Sequence, residues 1–183
     1  MKKLGIIAGS LRKESFTKKI GKNIASLFPE GWEAELLDIG HLPFYNQDFD
    51  DHNEVPKEIA EFRDKVDGLD AVIFVTPEYN RSIPAVLKNA IDVASRPKTN
   101  NVWSKKPAAV VSQSPGVLGG FGAHHHLRQV LAGINMPVLA HPEVYLSSVG
   151  DFLDEEGKIT NEDTLSFLQS FVDRFIDHSN KYD

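Results

Sequence analysis

The chain has 183 residues, a formal net charge of −6 and no cysteine. That length suits one domain, residues 1–183, with a sizeable core. The missing cysteines exclude disulfides, thiolate metal ligands and a cysteine nucleophile, and basic pairs such as Lys2-Lys3 and Lys18-Lys19 are too few for a nucleic-acid footprint.

At the start, Leu4 to Ala8 is a continuous apolar run ending at Gly9-Ser10, which suits a strand buried on both faces. Arg12, Lys13 and Glu14 follow directly, so the run is too short for a signal peptide. No stretch reaches the ~20 apolar residues of a membrane span. A soluble, cytoplasmic chain without a membrane or nucleic-acid partner is expected.

Ile20, Ile24, Leu27 and Phe28 recur at helical spacing until Pro29 and Gly31. Trp32 to Ile39 reads as a second strand. Gly40 to Glu54 has no period and holds Phe44, Tyr45, Phe49 and four acidic residues; an ordered, solvated acidic loop is expected there, its aromatics packed inside or covered by a second subunit. Pro56 opens a helix through Ile59, Phe62 and Val66 to Gly68. Ala71 to Thr76 is a third apolar strand. The next helix enters at Pro84 and buries Leu87, Ala90, Ile91 and Ala94. Lys98 to Lys106 reads as a polar connection and Pro107 to Ser112 as a fourth strand. Leu127, Val130, Leu131 and Ile134 mark another helix. Met136 to Ala140 and Val144 to Leu146 supply a fifth strand or two short pieces. A last helix follows a cap-like Thr160-Asn161-Glu162-Asp163.

This alternation predicts a parallel sheet with helices on both faces. Its simplest form is a flavodoxin-like three-layer α/β sandwich of five parallel strands in the order 2-1-3-4-5. Such sheets hold ligands at the carboxyl edge, where the ends of strands one, three and four lie side by side.

Each of those ends carries an unusual loop. The first, Gly9 to Lys18, offers hydroxyls at Ser10, Ser15 and Thr17, a cation at Arg12 and the free amides of a helix start. It lacks the Walker ending and the G-x-G-x-x-G fingerprint, so it suits one terminal phosphate better than a pyrophosphate. The same residues also suit a helix cap at Ser15 with a solvated Arg12. The second loop, Pro77-Glu78-Tyr79-Asn80, has amides for the edge of a flat heterocycle and a ring to pack on it; the same residues also suit a turn whose Tyr79 covers the core. In the third, Ser112 to Gly120, Gly116, Gly119 and Gly120 allow close approach of the backbone to a ligand, or simply a flexible loop. A phosphate end and a planar end together describe a flavin mononucleotide.

GSLRKESFTKK, TPEYNRSIPAVLKNAID and SQSPGVLGGFGAHHHLRQVL resemble, in order and spacing, the motifs of the NADPH-dependent FMN reductase family, which includes quinone, azo-dye and chromate reductases. The resemblance implies that Ser10, Arg12, Ser15, Phe16 and Thr17 bind the FMN phosphate. Pro77, Glu78, Tyr79 and Asn80 would hold the isoalloxazine and ribityl chain, and Ser112, Ser114 and Gly116 the other side of the ring. Thr17 stands where many relatives have Asn, and Arg81 where His or Gly is frequent; Arg81 and Gly119 are expected at the substrate side. NADPH or NADH would reduce the flavin at N5, no side chain would be indispensable as acid or base, and a quinone, azo compound, free flavin or metal oxyanion would be reduced in a ping-pong cycle. A homodimer or homotetramer is expected. The rival reading is a non-enzymatic FMN electron carrier.

Other residues invite chemistry and lack its spacing. His124-His125-His126 are adjacent, so on a helix they point apart; surface or interface positions are expected, with no metal. Asp48, Asp50, Asp51 and His52 show no ligand spacing. Ser10 sits outside a G-x-S-x-G elbow and is not read as a nucleophile.

Overall fold

The structure is a computed structural model that describes residues 1–182; residue 183, the last of the expected domain, lies outside the described residues. Five strands form one sheet: β1 (Lys2–Ala8), β2 (Trp32–Leu37), β3 (Ala71–Pro77), β4 (Ala108–Gln113) and β5 (Val144–Leu146). All pairings are parallel and the order is β2-β1-β3-β4-β5, as expected. β3 runs through the centre and every one of its residues is buried, which is why its sequence is continuously apolar rather than alternating. β5 pairs over only three residues and forms one edge.

The helices are α1 (Phe16–Ser26), α2 (Asp48–Asp51), α3 (Lys57–Asp67), α4 (Ala85–Ala94), α5 (Phe121–Gly133) and α6 (Glu162–Ser179). On one face Ile20 and Ile24 of α1 meet Leu168, Phe171 and Phe175 of α6. On the other, α3, α4 and α5 bury Ile59, Phe62, Leu87, Ile91 and Leu127. Each such side chain contributes about 1.5–3 kcal/mol by leaving water. Ser15 caps α1 and Asn161 caps α6, whose first turn holds Glu162 and Asp163 as expected.

Several expectations need correction. The fifth strand is Val144–Leu146 alone; Val138 makes an isolated bridge to Ala108. The connection from Lys98 to Lys106 is not polar throughout, because Trp103 is fully buried and its Nε1–H donates to Ile91 O at 3.0 Å. The acidic segment is not simply solvated. It folds into α2, and Asp50 accepts from Arg63 Nη1 and Nη2 at 2.8 and 3.0 Å and from the Tyr45 hydroxyl at 3.0 Å. Tyr45 and Phe49 pack against the core, whereas Phe44 stays 76% exposed.

Asn23 on α1 works as a substitute strand. Its Nδ2 donates to Gly157 O at 2.8 Å and its Oδ1 accepts from Ile159 N–H at 3.0 Å, docking the hairpin closed by the Leu153–Ile159 bridge.

Among the described residues no helix is long and apolar enough to cross a membrane.

Candidate functional site at the carboxyl edge of the sheet

The register brings the three loops together. Ala8 lies beside Val75, and Pro77 beside Gln113, so the chain leaves β1, β3 and β4 at neighbouring points. Gly9 N–H donates to Val75 O at 2.8 Å, which ties the first loop to the root of the second.

In the first loop Ser10, Ser15 and Thr17 are almost wholly buried. The Ser15 and Thr17 hydroxyls lie 2.7 Å apart, and Ser15 Oγ accepts from Lys18 N–H. The amides of Phe16 and Thr17, at the start of α1, find no acceptor among the described residues. The loop's accessible donors are therefore its backbone amides, the exposed Arg12 and Lys13, and the half-buried Lys18. Phe16 packs its ring against the α1–α6 cluster, so only its backbone belongs to the loop surface.

In the second loop Pro77 is buried and Tyr79 is 49% exposed. Tyr79 and Ser82 form an antiparallel bridge around Asn80 and Arg81. The Glu78 side chain turns away from the edge: Oε2 accepts from Ala123 N–H at 3.0 Å and Oε1 lies 3.6 Å from Arg81 Nη1. Glu78 can thus offer a ligand its backbone, while its carboxylate is committed to α5.

In the third loop Ser112 is fully buried and its hydroxyl donates to Gly119 O at 2.8 Å. It shapes the loop from inside. Ser114 Oγ accepts from Gly116 N–H at 2.9 Å. Gly119 has φ +57, and a Cβ there would lie 2.9 Å from Tyr145, so both backbone and space require glycine.

The three histidines occupy separate surroundings. His124 is fully buried, not at a surface or interface position as expected; its ring lies 4.6 Å from that of Tyr145 and neither nitrogen has a partner among the described residues. Burial, helped by the Arg128 charge, pushes its pKa down to about 4. His125 Nε2 lies 3.1 Å from the Tyr145 hydroxyl, which donates to Glu143 Oε2 at 2.6 Å. Burial and that carboxylate push Tyr145 up to about 12. His126 Nδ1 lies 3.1 Å from Ser82 Oγ, next to the second loop. Among the described residues no group of three or more His, Asp or Glu is gathered to hold a metal.

Sequence reasoning passed over Gln113. It is buried at the junction of β4 and the third loop, and its Oε1 has no partner among the described residues. A glutamine closing an apolar strand run was the available signal.

The family model described as NADPH-dependent FMN reductase matches residues 2–151. The chain belongs to the NADPH-dependent FMN reductase family. A quinone reductase of Pseudomonas putida is 49% identical over 173 residues, covering 94% of this chain and 91% of that protein. An NAD(P)H-dependent FMN reductase of Pseudomonas aeruginosa is 39% identical, covering 92% of this chain and 90% of its own. Among solved structures, the flavoenzyme NAD(P)H:(acceptor) oxidoreductase of Paracoccus denitrificans superposes with a TM-score of 0.92 at 40% identity, covering 100% of this chain and 99% of that one. FMN with NAD(P)H as electron donor is the cofactor pair of this family, and its members are oxidoreductases. That assignment sets aside the non-enzymatic carrier.

Proposed function

We propose that this family member is an FMN-dependent NAD(P)H:quinone oxidoreductase with its flavin at the three-loop edge. The observation that carries the reading is the convergence there of unpaired α1 amides, a half-exposed tyrosine and a loop whose Gly119 admits no side chain. These features fit a phosphate with a planar ring.

Arg12 and the amides from Ser10 through Thr17 would hold the phosphate, with the Ser10, Ser15 and Thr17 hydroxyls shaping the cradle and Phe16 contributing its amide. The backbone of Pro77 through Asn80 and the Tyr79 ring would hold the isoalloxazine and ribityl chain. Ser114 and Gly116 would close the other side, with Ser112 fixing that loop from beneath. Arg81 and Gly119 would face the nicotinamide donor and the acceptor. Bound FMN would supply two-electron redox chemistry between NAD(P)H and the acceptor, with one further proton from solvent when a quinone becomes a hydroquinone. The protein's work is to leave one face open, so donor and acceptor use it in turn and the kinetics are ping-pong. Quinones come first among acceptors because relatives carry that name; azo compounds, free flavin and metal oxyanions fit the same open face. The exposed Phe44 supports a homodimer or homotetramer, and a cytoplasmic location suits a user of NAD(P)H.

The absorption spectrum of the purified protein tests this. Bound-flavin bands, bleached by NADPH and restored by a quinone, are expected. A colourless protein that takes up no FMN on reconstitution would sink the reading.

A further inference from the structure

We infer that Glu78 is a positioning residue that locks the second loop to the third, so that the flavin ring enters a slot already set; this rests on the FMN reading above. The lock starts at the beginning of α5. Its N-cap position is Gly120, in the left-handed region at φ +76, and it makes no side-chain cap. A helix start needs acceptors for its free amides, and a carboxylate also suits the positive end of the helix dipole.

Glu78 brings that carboxylate from 45 residues earlier in the chain, its Oε2 accepting from Ala123 N–H at 3.0 Å. The side chain is only 14% exposed, so the contact is largely shielded from water. The docking is close on a second count. A Cβ at Gly122 would lie 3.0 Å from Glu78 Oε2 and 2.9 Å from Arg81 O, so residue 122 must be glycine for the turn to seat on the helix. Arg81 closes the arrangement at 3.6 Å from Glu78 Oε1. The donor of the cap is the loop proposed to hold the ring, and the capped helix is the exit of the loop proposed to face it. Moving one moves the other, whereas the phosphate cradle at Ser15 belongs to α1 and stands outside this lock.

The test is to titrate the apoproteins of wild type, Glu78→Ala and Glu78→Gln with FMN and with riboflavin, and to follow amide exchange. Glu78→Ala should weaken FMN and riboflavin alike by about tenfold, the scale of one charge-assisted hydrogen bond, leaving the ratio between them unchanged. Amides at the start of α5 should exchange faster while those of α1 hold. Glu78→Gln keeps an acceptor for Ala123 and should stay within about threefold of wild type. Should Glu78→Ala fail to fold, Glu78→Asp, one methylene too short to reach Ala123, is expected to show the same equal loss. Unchanged affinity in the variants overturns the inference while leaving FMN binding intact. So does an equal loss in the glutamine variant with faster exchange across the sheet, which is general destabilisation. Failure of wild type to bind FMN overturns the FMN reading and this inference together.

Discussion

Tyr79 and Ser82 exchange both of their backbone hydrogen bonds, at 2.9 and 3.0 Å. Between them Asn80 and Arg81 have φ +51 and +66, the geometry of a two-residue type I′ turn. Asparagine tolerates the first position, but glycine is preferred at the second, and a longer side chain there costs about 1 kcal/mol. The Arg81 guanidinium is 75% exposed, so its ion pair returns little. Arg81→Gly should therefore raise the unfolding midpoint by roughly 2–4 °C, and, with Arg81 facing the nicotinamide donor as proposed, should also raise the KM for NADPH. Thermal unfolding and steady-state kinetics read the two effects, and a lower midpoint would remove the strain argument.

The phosphate assignment has its own signature. Arg12→Ala should weaken FMN by about tenfold, the value of one exposed charge-assisted contact to phosphate, and leave riboflavin unchanged. Thr17→Val removes the 2.7 Å hydroxyl contact to Ser15 inside the cradle and should lower stability by about 1–2 kcal/mol. Fluorescence titration and denaturant unfolding measure these. Equal loss for FMN and riboflavin in Arg12→Ala would place Arg12 elsewhere.

Asp50 and Arg63 are each about one-tenth exposed, with side-chain exposures of 10% and 11%. The Arg63 guanidinium also donates from Nε to Val93 O at 2.9 Å, joining α2, α3 and α4. Asp50→Ala leaves a buried cation without its partner and should cost about 3–5 kcal/mol, whereas replacing both residues by apolar ones should recover most of it. The hydrogen bonds from Arg63 hold the Asp50 carboxyl below its usual 3.8. Its contribution is then complete above that value and drains as the pH falls through the lower, folded value. Denaturant unfolding of the single and double variants decides the matter.

His124 acts in the same direction but in a higher pH window. Its folded pKa of about 4 lies below the ordinary 6.5. The unfolded chain takes the proton first, so stability is full above about pH 6.5 and falls by roughly 3 kcal/mol down to pH 4, then levels. His124→Leu should flatten that slope. At pH 7 it should cost nothing, because two buried nitrogens without partners are removed. An unaltered acid slope in the variant would show that the proton binds elsewhere.

The strands and the three loops could be read from the chain because buried parallel strands need unbroken apolar runs, and their polar exits stand out against them; the strand order was not in the periodicity and came only as the simplest form of the alternation. Fold and loop positions therefore came together. What escaped was any residue whose partner is distant in sequence. Trp103 sits among polar neighbours, and its burial depends on α4. Asp50 looks like one carboxylate among several until Arg63 meets it. Glu78 lies in a ligand-facing motif, yet its carboxylate answers a helix that starts beyond the third loop. His124 cannot be told from His125 and His126 by composition; the phase of α5 alone separates them.

The narrow edge at β5 has a consequence for the protein without its cofactor. An exposed sheet edge invites other chains to add strands. Here one edge is three residues long. The other, β2, carries Glu33 and Glu35, the latter paired with Lys65. Neither offers a long, uncharged template. An empty protein can wait for its ligand without recruiting copies of itself through the sheet.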